Sequence, residues 1–419
     1  MRTNTTLLRG SISLAVLLAG AVPAAAGELF LLGLVSQSYA DDVSDDGRVV
    51  VGYDPQSYWY WTRETGVVQL IGQTVPPGNG VGGQACVTAD GQYMSCSTMQ
   101  GDPLKAEGTI YDIGLTLYQA MGSMGFQCDA ERLGIWGMTR DGQQAVGLAW
   151  EGPCDATAFS WNSSTNALTN LGTLYFFKPT RANAISDNGG TIAGWNDDYN
   201  GFRQGAAWVK NAAGAYVQTN IVAPGGIKMR EAGETSGNGE WVYGIGTSSY
   251  SGGAAWRWSA ATGVQPVGTN PSGSVGYVTG ANFDGSKVLS FYGVFGGAGS
   301  FMWTAKTGYV SLAQLAADAG VVIPQGWTLS LPLGMSEDGL TIVGTAFGPN
   351  GTSPFVLDLR ASSAPCPADL NGDGAVAAQD LTILLDSWGA AGGSTDLNGD
   401  GFVGAQDLAV LLSAWGACP

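Results

Sequence analysis

Near its C-terminus the chain carries carboxylate and amide oxygens at a spacing that can wrap a hard cation. Asp369, Asn371, Asp373 and Asp380 stand at positions 1, 3, 5 and 12 of one loop, with Gly374 at position 6. Asp396, Asn398, Asp400 and Asp407 repeat the set 27 residues later, with Gly401 at position 6. This is the ligand spacing of a calcium loop of EF-hand type, in which oxygens surround the ion across a tight turn that glycine permits. Position 7 lends a backbone carbonyl (Ala375, Phe402), and position 9 (Ala377, Gly404) reaches only through water. Position 12 is Asp in place of the usual Glu, a shorter arm that draws the next helix towards the ion. Two Ca2+ ions are therefore expected.

A short amphipathic helix must follow each loop. Leu381, Leu384, Leu385 and Trp388 are spaced i, i+3, i+4, i+7, and so are Leu408, Leu411, Leu412 and Trp415. Gly389 and Gly416 stand where helix C-caps are expected. No long helix precedes either loop, so these are not paired-helix EF-hands. The duplicated loop-plus-helix resembles a dockerin, the calcium-dependent module that plugs into a cohesin. In that family, loop positions 10 and 11 face the cohesin. Here they are Ala378-Gln379 and Ala405-Gln406, not the hydroxyl-bearing pair common in cellulosomal dockerins. The identical pairs imply two equivalent docking faces.

The N-terminus reads as an export signal. Arg2 and Arg9 open it, residues 13–22 are apolar, and Ala24-Ala25-Ala26 is a small-residue cleavage site. Cleavage after Ala26 gives a secreted or surface-attached chain with no later membrane span; the alternative is a single-pass anchor. The sequence holds 34 acids, 17 bases and no histidine. Its acidity argues against nucleic acid and anionic membrane as partners. The lack of histidine excludes Ser-His-Asp and Cys-His catalysis and the usual zinc sites.

Six cysteines form an even set in an exported chain. Cys366 and Cys418 flank the calcium module and are expected to clasp it, worth about 4 kcal/mol on the chain-entropy account. Cys86 and Cys96 bracket a predicted hairpin, which suggests a cross-strand bridge and leaves Cys128 to pair with Cys154. Pairing of 86 with 128 and 96 with 154 is the alternative.

The body is a repeat. Between Ala40 and Leu359 one unit recurs seven times: a Ser/Thr-x-Asp/Asn-Gly turn, an apolar strand, then a strand such as Tyr58-Trp59-Tyr60-Trp61 or Ala255-Trp256-Arg257-Trp258. The turn glycines are Gly47, Gly91, Gly142, Gly189, Gly239, Gly285 and Gly339. Asp-Gly and Asn-Gly steps signal tight hairpins. About four strands per unit of this length match a propeller blade. The second unit is degenerate, with Ile110-Tyr111 where others carry Trp. The last stops one strand short, at Pro354–Leu359, and Leu29–Leu34 is the expected missing strand. The fold class is thus all-β, a seven-bladed β-propeller closed by its N-terminal strand, plus a small α-helical calcium domain. An open β-solenoid is the alternative. The units resemble the HAF repeats of secreted bacterial proteins over most of residues 40–359, with a short helix expected at 312–320. That family has no established activity, so the resemblance implies a fold alone. The expected parts are a signal at 1–26, the repeat body at 27–360, a linker at 361–365 and the calcium module at 366–419.

Asp46, Asp90, Asp141, Asn188, Asn238, Asp284 and Asp338 recur at hairpin turns and read as turn chemistry. The repeated tryptophans read as packing between blades, with sugar stacking on an exposed ring as the alternative. Two acidic clusters break the repeat, Asp41-Asp42-Asp45-Asp46 and Asp197-Asp198, and Glu231 and Glu234 lie near a unit start. A solvated face is expected for them, with no catalytic constellation. The resulting expectation is a non-enzymatic, exported repeat protein anchored to a cohesin, its body a binding or display module with carbohydrate as a candidate ligand. The alternative is a carbohydrate-active enzyme using Asp and Glu. A carboxylate pair meeting in the central funnel would favour the enzyme; a small, apolar lining would favour the binding module.

Overall fold

The computed structural model describes residues 27–77, 83–101, 105–125, 128, 131–152, 154–247, 251–360, 367–371 and 375–417. The signal segment, the linker, Asp373, Cys366 and Cys418 lie outside these residues. The chain separates into two compact units, one spanning residues 26–362 and one containing residues 363–419.

The body is mostly β and built of antiparallel meanders. The first runs Tyr39–Val43, Val49–Tyr53, Tyr58–Thr62, Gly66–Gln69, paired in that order. Equivalent four-stranded meanders occupy residues 131–170, 180–220, 232–266 and 276–311. The second unit keeps three strands between residues 93 and 120, and its innermost position is an isolated Val87–Met94 bridge. The last meander has three strands of its own, between residues 328 and 358. Glu28–Leu31 completes it, pairing antiparallel with Phe355–Asp358. The expected N-terminal strand thus completes the last unit, ending three residues earlier than Leu29–Leu34.

The turn chemistry explains the repeat. Ser44, Thr88, Thr139, Ser186, Ser236 and Ser336 each donate a hydroxyl to the Asp or Asn two residues on, at 2.6–2.8 Å. The same carboxylate or amide oxygen accepts a backbone N–H beyond the turn, and the following glycine has φ between 62° and 76°. A side chain at that φ is strained, so glycine holds the place.

Apolar packing joins neighbouring meanders. Val50 and Trp59 of the first share a core with Val343 and Val356 of the last. Val146 packs with Ala182, Ala184 with Ala232, Tyr243 with Val278, and Leu289 with Leu329. Trp59, Trp161, Trp208 and Trp256 are fully buried, so these repeated rings are core rather than sugar platforms. The expected short helix is α1, Leu312–Asp318, capped by the Ser311 hydroxyl.

The cysteines require a correction. Cys128 and Cys154 are bridged, but Cys86 and Cys96 are free and buried. The Val87–Met94 bridge sets Cys86 opposite Ser95, so Cys86 and Cys96 point to opposite faces of the sheet. They belong to different cores, Cys86 with Leu133 and Ile135, Cys96 with Val51 and Tyr58. That excludes the 86–96 bridge, and the 128–154 bridge excludes the alternative pairing.

The tail module has two helices, α2 (Ala378–Asp386) and α3 (Ala405–Ser413), and a short ladder joining Ala375–Val376 to Gly416–Ala417. Its core is itself duplicated: Val376 and Val403, Leu384 and Leu411, with Leu370 and Leu397 packed against them. The expected four-residue apolar stripes are only partly buried. Leu385, Trp388, Leu412 and Trp415 are each about half exposed, because two short helices offer too little surface to cover them. The helices end at Ser387 and Ala414 rather than at glycine caps.

Candidate functional site

The tail loops place their last carboxylate by backbone geometry. Asp380 is the third residue of α2, fully buried, and accepts the N–H groups of Leu370 (2.8 Å), Asn371 (3.1 Å) and Ala377 (2.8 Å). Burial alone would raise its pKa, but the Ala377, Asn371 and Leu370 donors hold it below the ordinary value. Asp407 holds the same place in α3 and accepts from Asn398 (3.1 Å) and Gly404 (2.7 Å). The Gly404 N–H is the main reason its pKa is lowered. Both carboxylates are kept ionised at the N-terminal ends of their helices.

The second loop is described throughout. Asp396 accepts from Gly399 (2.9 Å) and Gly401 (2.8 Å), Asn398 Oδ1 from Asp400 N (2.8 Å), and Asp400 from Phe402 (3.0 Å). Asn398 Nδ2 donates to Asp400 and to Gln406 Oε1 at 3.1 Å. Among the described residues, no three acidic or cysteine side chains converge closely enough to hold a metal ion. The available donors are oxygens, and the buried Asp407 is held onto the loop by its backbone, so the residues fit a hard divalent cation. Ala378, Gln379, Ala405 and Gln406 are all exposed.

The body holds a second site, a channel of ≈ 360 Å³ lined by residues from all seven units. The repeat register explains its lining. Counting back three residues from the Ser, Thr or Asn that opens each turn gives Asp41, Ala85, Trp136, Asn183, Gly233, Thr279 and Leu333, and all seven line the channel. In six units the inner strand's pairing register skips this residue, so it is bulged. A bulge re-aims the side chain it frees. The next residue in each unit is Asp42, Cys86, Gly137, Ala184, Glu234, Gly280 or Gly334, and these also line the channel.

The solvated-face expectation for Asp41, Asp42, Glu231 and Glu234 is therefore wrong. Asp41 accepts the Ala85 N–H at 3.0 Å, and burial pushes its pKa up to about 7. Burial pushes Glu234 up to about 8, with Asp42 adding to the rise. Burial also raises Asp42, although Arg140 contacts it at 3.4 Å and opposes the shift. Arg140 would be lowered by burial, but Asp42, Asp45, Asp187 and Glu234 raise it instead. Asp187 and Glu337, one residue past their turn serines, are raised by burial too. These two, with Arg140, Arg181 and Asn183, were missed as channel residues; Arg140, Asp187 and Glu337 share the repeat position just after the residue that opens the turn, and that recurring charge was the available signal. Asp197-Asp198 is different. Asp198 accepts from Asn200 and Phe202 and pairs with Lys228 at 2.6 Å, a structural turn.

No helix among the described residues is long and apolar enough to cross a membrane. No curated protein sequence matches the chain. Solved structures similar in fold include an oligogalacturonate lyase in complex with manganese, at 13% identity and TM-score 0.50, covering 80% of this chain and 93% of that one. The β-propeller domain of the Trilobed protease from Pyrococcus furiosus matches at 10% identity and TM-score 0.49, covering 78% and 100%. TolB from Acinetobacter baumannii matches at 10% identity and TM-score 0.39, covering 77% of this chain and 63% of that one, so the chain spans less than two thirds of that protein. At these identities the likeness is one of fold alone. Residues 367–414, by contrast, match a family in sequence, the dockerin type I domain.

Proposed function

We propose that this is an exported protein in which residues 366–419 form a dockerin holding two Ca2+ ions and docking to a cohesin. Residues 27–360 are a seven-bladed propeller, closed by the N-terminal strand, that presents its channel face to a ligand, carbohydrate being the candidate. Ala378-Gln379 and Ala405-Gln406 form two equivalent docking faces. The observation that carries this reading is the duplicated placement of Asp380 and Asp407, each buried, third in its helix and turned onto its own loop. Bound calcium would neutralise the loop carboxylates and add ion-binding free energy to the folding of a small module. The test is capture of the mature chain by an immobilised type I cohesin in calcium and in EGTA. Capture in calcium alone, lost when Gln379 and Gln406 are both replaced by Ala, supports the reading. Capture unaffected by EGTA sinks it.

One observation favours the enzyme alternative for the body. Asp41 and Glu234, with pKa values near neutrality, lie in one channel with the Asp42–Arg140 ion pair. A carboxyl that is protonated near pH 7 can act as a general acid. Incubation with a polysaccharide panel, comparing the native chain with Asp41→Asn and Glu234→Gln, separates a catalytic channel from a binding one.

A further inference from the structure

Where the inner strands begin, two arginines share one carboxylate. Arg181 Nη2 meets Glu231 Oε1 at 2.6 Å, and Arg203 Nη1 meets Glu231 Oε2 at 3.0 Å. Both Glu231 oxygens are used. Asp197, paired opposite Arg203, adds a second carboxylate and feels Lys178 as well, so three cations against two carboxylates leave one positive charge over in a strongly acidic chain. Asn183 locks the set: it accepts Arg181 Nε at 2.7 Å and donates to Glu231 at 3.0 Å and to the Ala232 carbonyl at 2.7 Å. Arg181 and Asn183 are each only 7% exposed.

The guanidinium groups lie on indoles. Arg181 sits 3.6 Å from the Trp136 ring and Arg203 sits 4.3 Å from the Trp195 ring. The Nε1 atoms of both tryptophans are buried with no hydrogen-bond partner among the described residues, and Trp195 is only 4% exposed. Buried donors without acceptors are uncommon. Two arginines, Lys178 and two unmatched indole N–H groups stand against two carboxylates, Glu231 and Asp197, one oxygen of the latter also being buried without a partner, so donors outnumber acceptors.

Exposed rings adjoin it in the chain. Phe202 precedes Arg203 and is 71% exposed; Phe177, three residues before the strand that carries Arg181, is 76% exposed. Phe177 is held at φ 57°, which is costly for a bulky residue, and its ring meets that of the similarly exposed Phe176 at 4.0 Å. In the channel wall Tyr277 and Phe291 stack in parallel at 4.7 Å.

We propose that this arginine–indole cluster, beside the channel that Arg181 lines, binds an acidic oligosaccharide. A hexuronate carboxylate is seated between Arg181 and Arg203, and neighbouring sugar faces stack on the rings. The planar guanidinium fork suits a carboxylate, and one surplus charge matches the single charge of each uronate. Aromatic faces suit the apolar faces of a pyranose. The inference deepens the reading of the body as a ligand-presenting module and is independent of the tail.

The test is calorimetric titration of the full mature chain with a mannuronate hexamer, cellohexaose and ATP as separate probes, in calcium and again in EGTA. The hexuronate should bind about tenfold or more tightly than cellohexaose, and Arg203→Met should remove about tenfold. Arg203→Lys should weaken binding by less, and added salt should weaken it in the native chain. Binding should survive EGTA, which separates this site from the tail. Equal binding of cellohexaose, tighter binding of ATP, no binding of the hexuronate, or unchanged binding by a folded Arg203→Met would each overturn the proposal. If Arg203→Met lacks a cooperative melt, the Lys variant and the salt series decide.

Discussion

Asp407 accepts the backbone N–H of Gly404, three residues before it, at 2.7 Å. The last oxygen of the loop is thereby tied to the first turn of α3, and Asp380 repeats the arrangement with Ala377 at 2.8 Å. Replacing both carboxylates removes a helix-start acceptor and, on the proposed reading, a cation ligand together. Asp380→Ala with Asp407→Ala should abolish the calcium-dependent gain in helical ellipticity and cohesin capture, and leave the β signal of the body unchanged. Each lost N-terminal acceptor should also cost about 0.5–2 kcal/mol in the module without calcium. Circular dichroism with and without EGTA reads both; a double variant with native calcium response would refute the ligand assignment.

The opposed faces of Cys86 and Cys96 predict two thiols that are silent in the native chain. Both are buried, and burial raises both pKa values. Thiolate, not thiol, is the nucleophile. Alkylation of the unreduced chain should therefore label neither residue when folded and both in denaturant, by peptide mass mapping. A Cys86–Cys96 cross-linked peptide would contradict the fold around the second unit.

Asp41 and Glu234 set a pH dependence. Their folded pKa values, about 7 and about 8, stand above ordinary carboxyl values. Between those limits the folded chain holds protons that the unfolded chain has released, so stability falls as pH rises. The contribution is complete below the unfolded values near pH 4 and is lost through about pH 7 to 8. Asp42, Asp187 and Glu337 shift in the same direction. The Tm of the body should drop between about pH 5 and about pH 8.5. Asp41→Asn with Glu234→Gln should flatten that drop; a slope unchanged by both replacements would place the protons elsewhere.

Gly194 backs the strand that carries Arg181. A Cβ at Gly194 would fall on the Arg181 carbonyl oxygen, a backbone atom that cannot step aside. The same approach recurs at Gly52, Gly147 and Gly344, each against an inner-strand carbonyl. Gly194→Ala should destabilise the body by about 1–3 kcal/mol, read as a fall in Tm, because overpacking displaces the bulged strand. A native melt would mean that the bulge yields without cost.

Local chemistry was legible from residue order. A Ser-x-Asp-Gly turn closes itself through contacts a few residues apart, so Ser44 with Asp46 and Ser336 with Asp338 follow from sequence alone. The turns of the tail are legible for the same reason: Asp396 to Asp407 is one short segment whose carboxylates accept backbone N–H groups from within it. The buried tryptophans and the pairing of the N-terminal strand with the last unit followed from repeat position and from an incomplete last unit. Tertiary structure decided the rest, because it concerns residues far apart in the chain. Asp42 and Glu234 share a channel only because the inner strands of separate units line it together and a bulge in each re-aims the side chain it frees. Arg181, Arg203 and Glu231 meet only across neighbouring meanders. Cys86 and Cys96 are close in sequence, yet an alternation of one residue sends them into separate cores, and no count of cysteines contains that information.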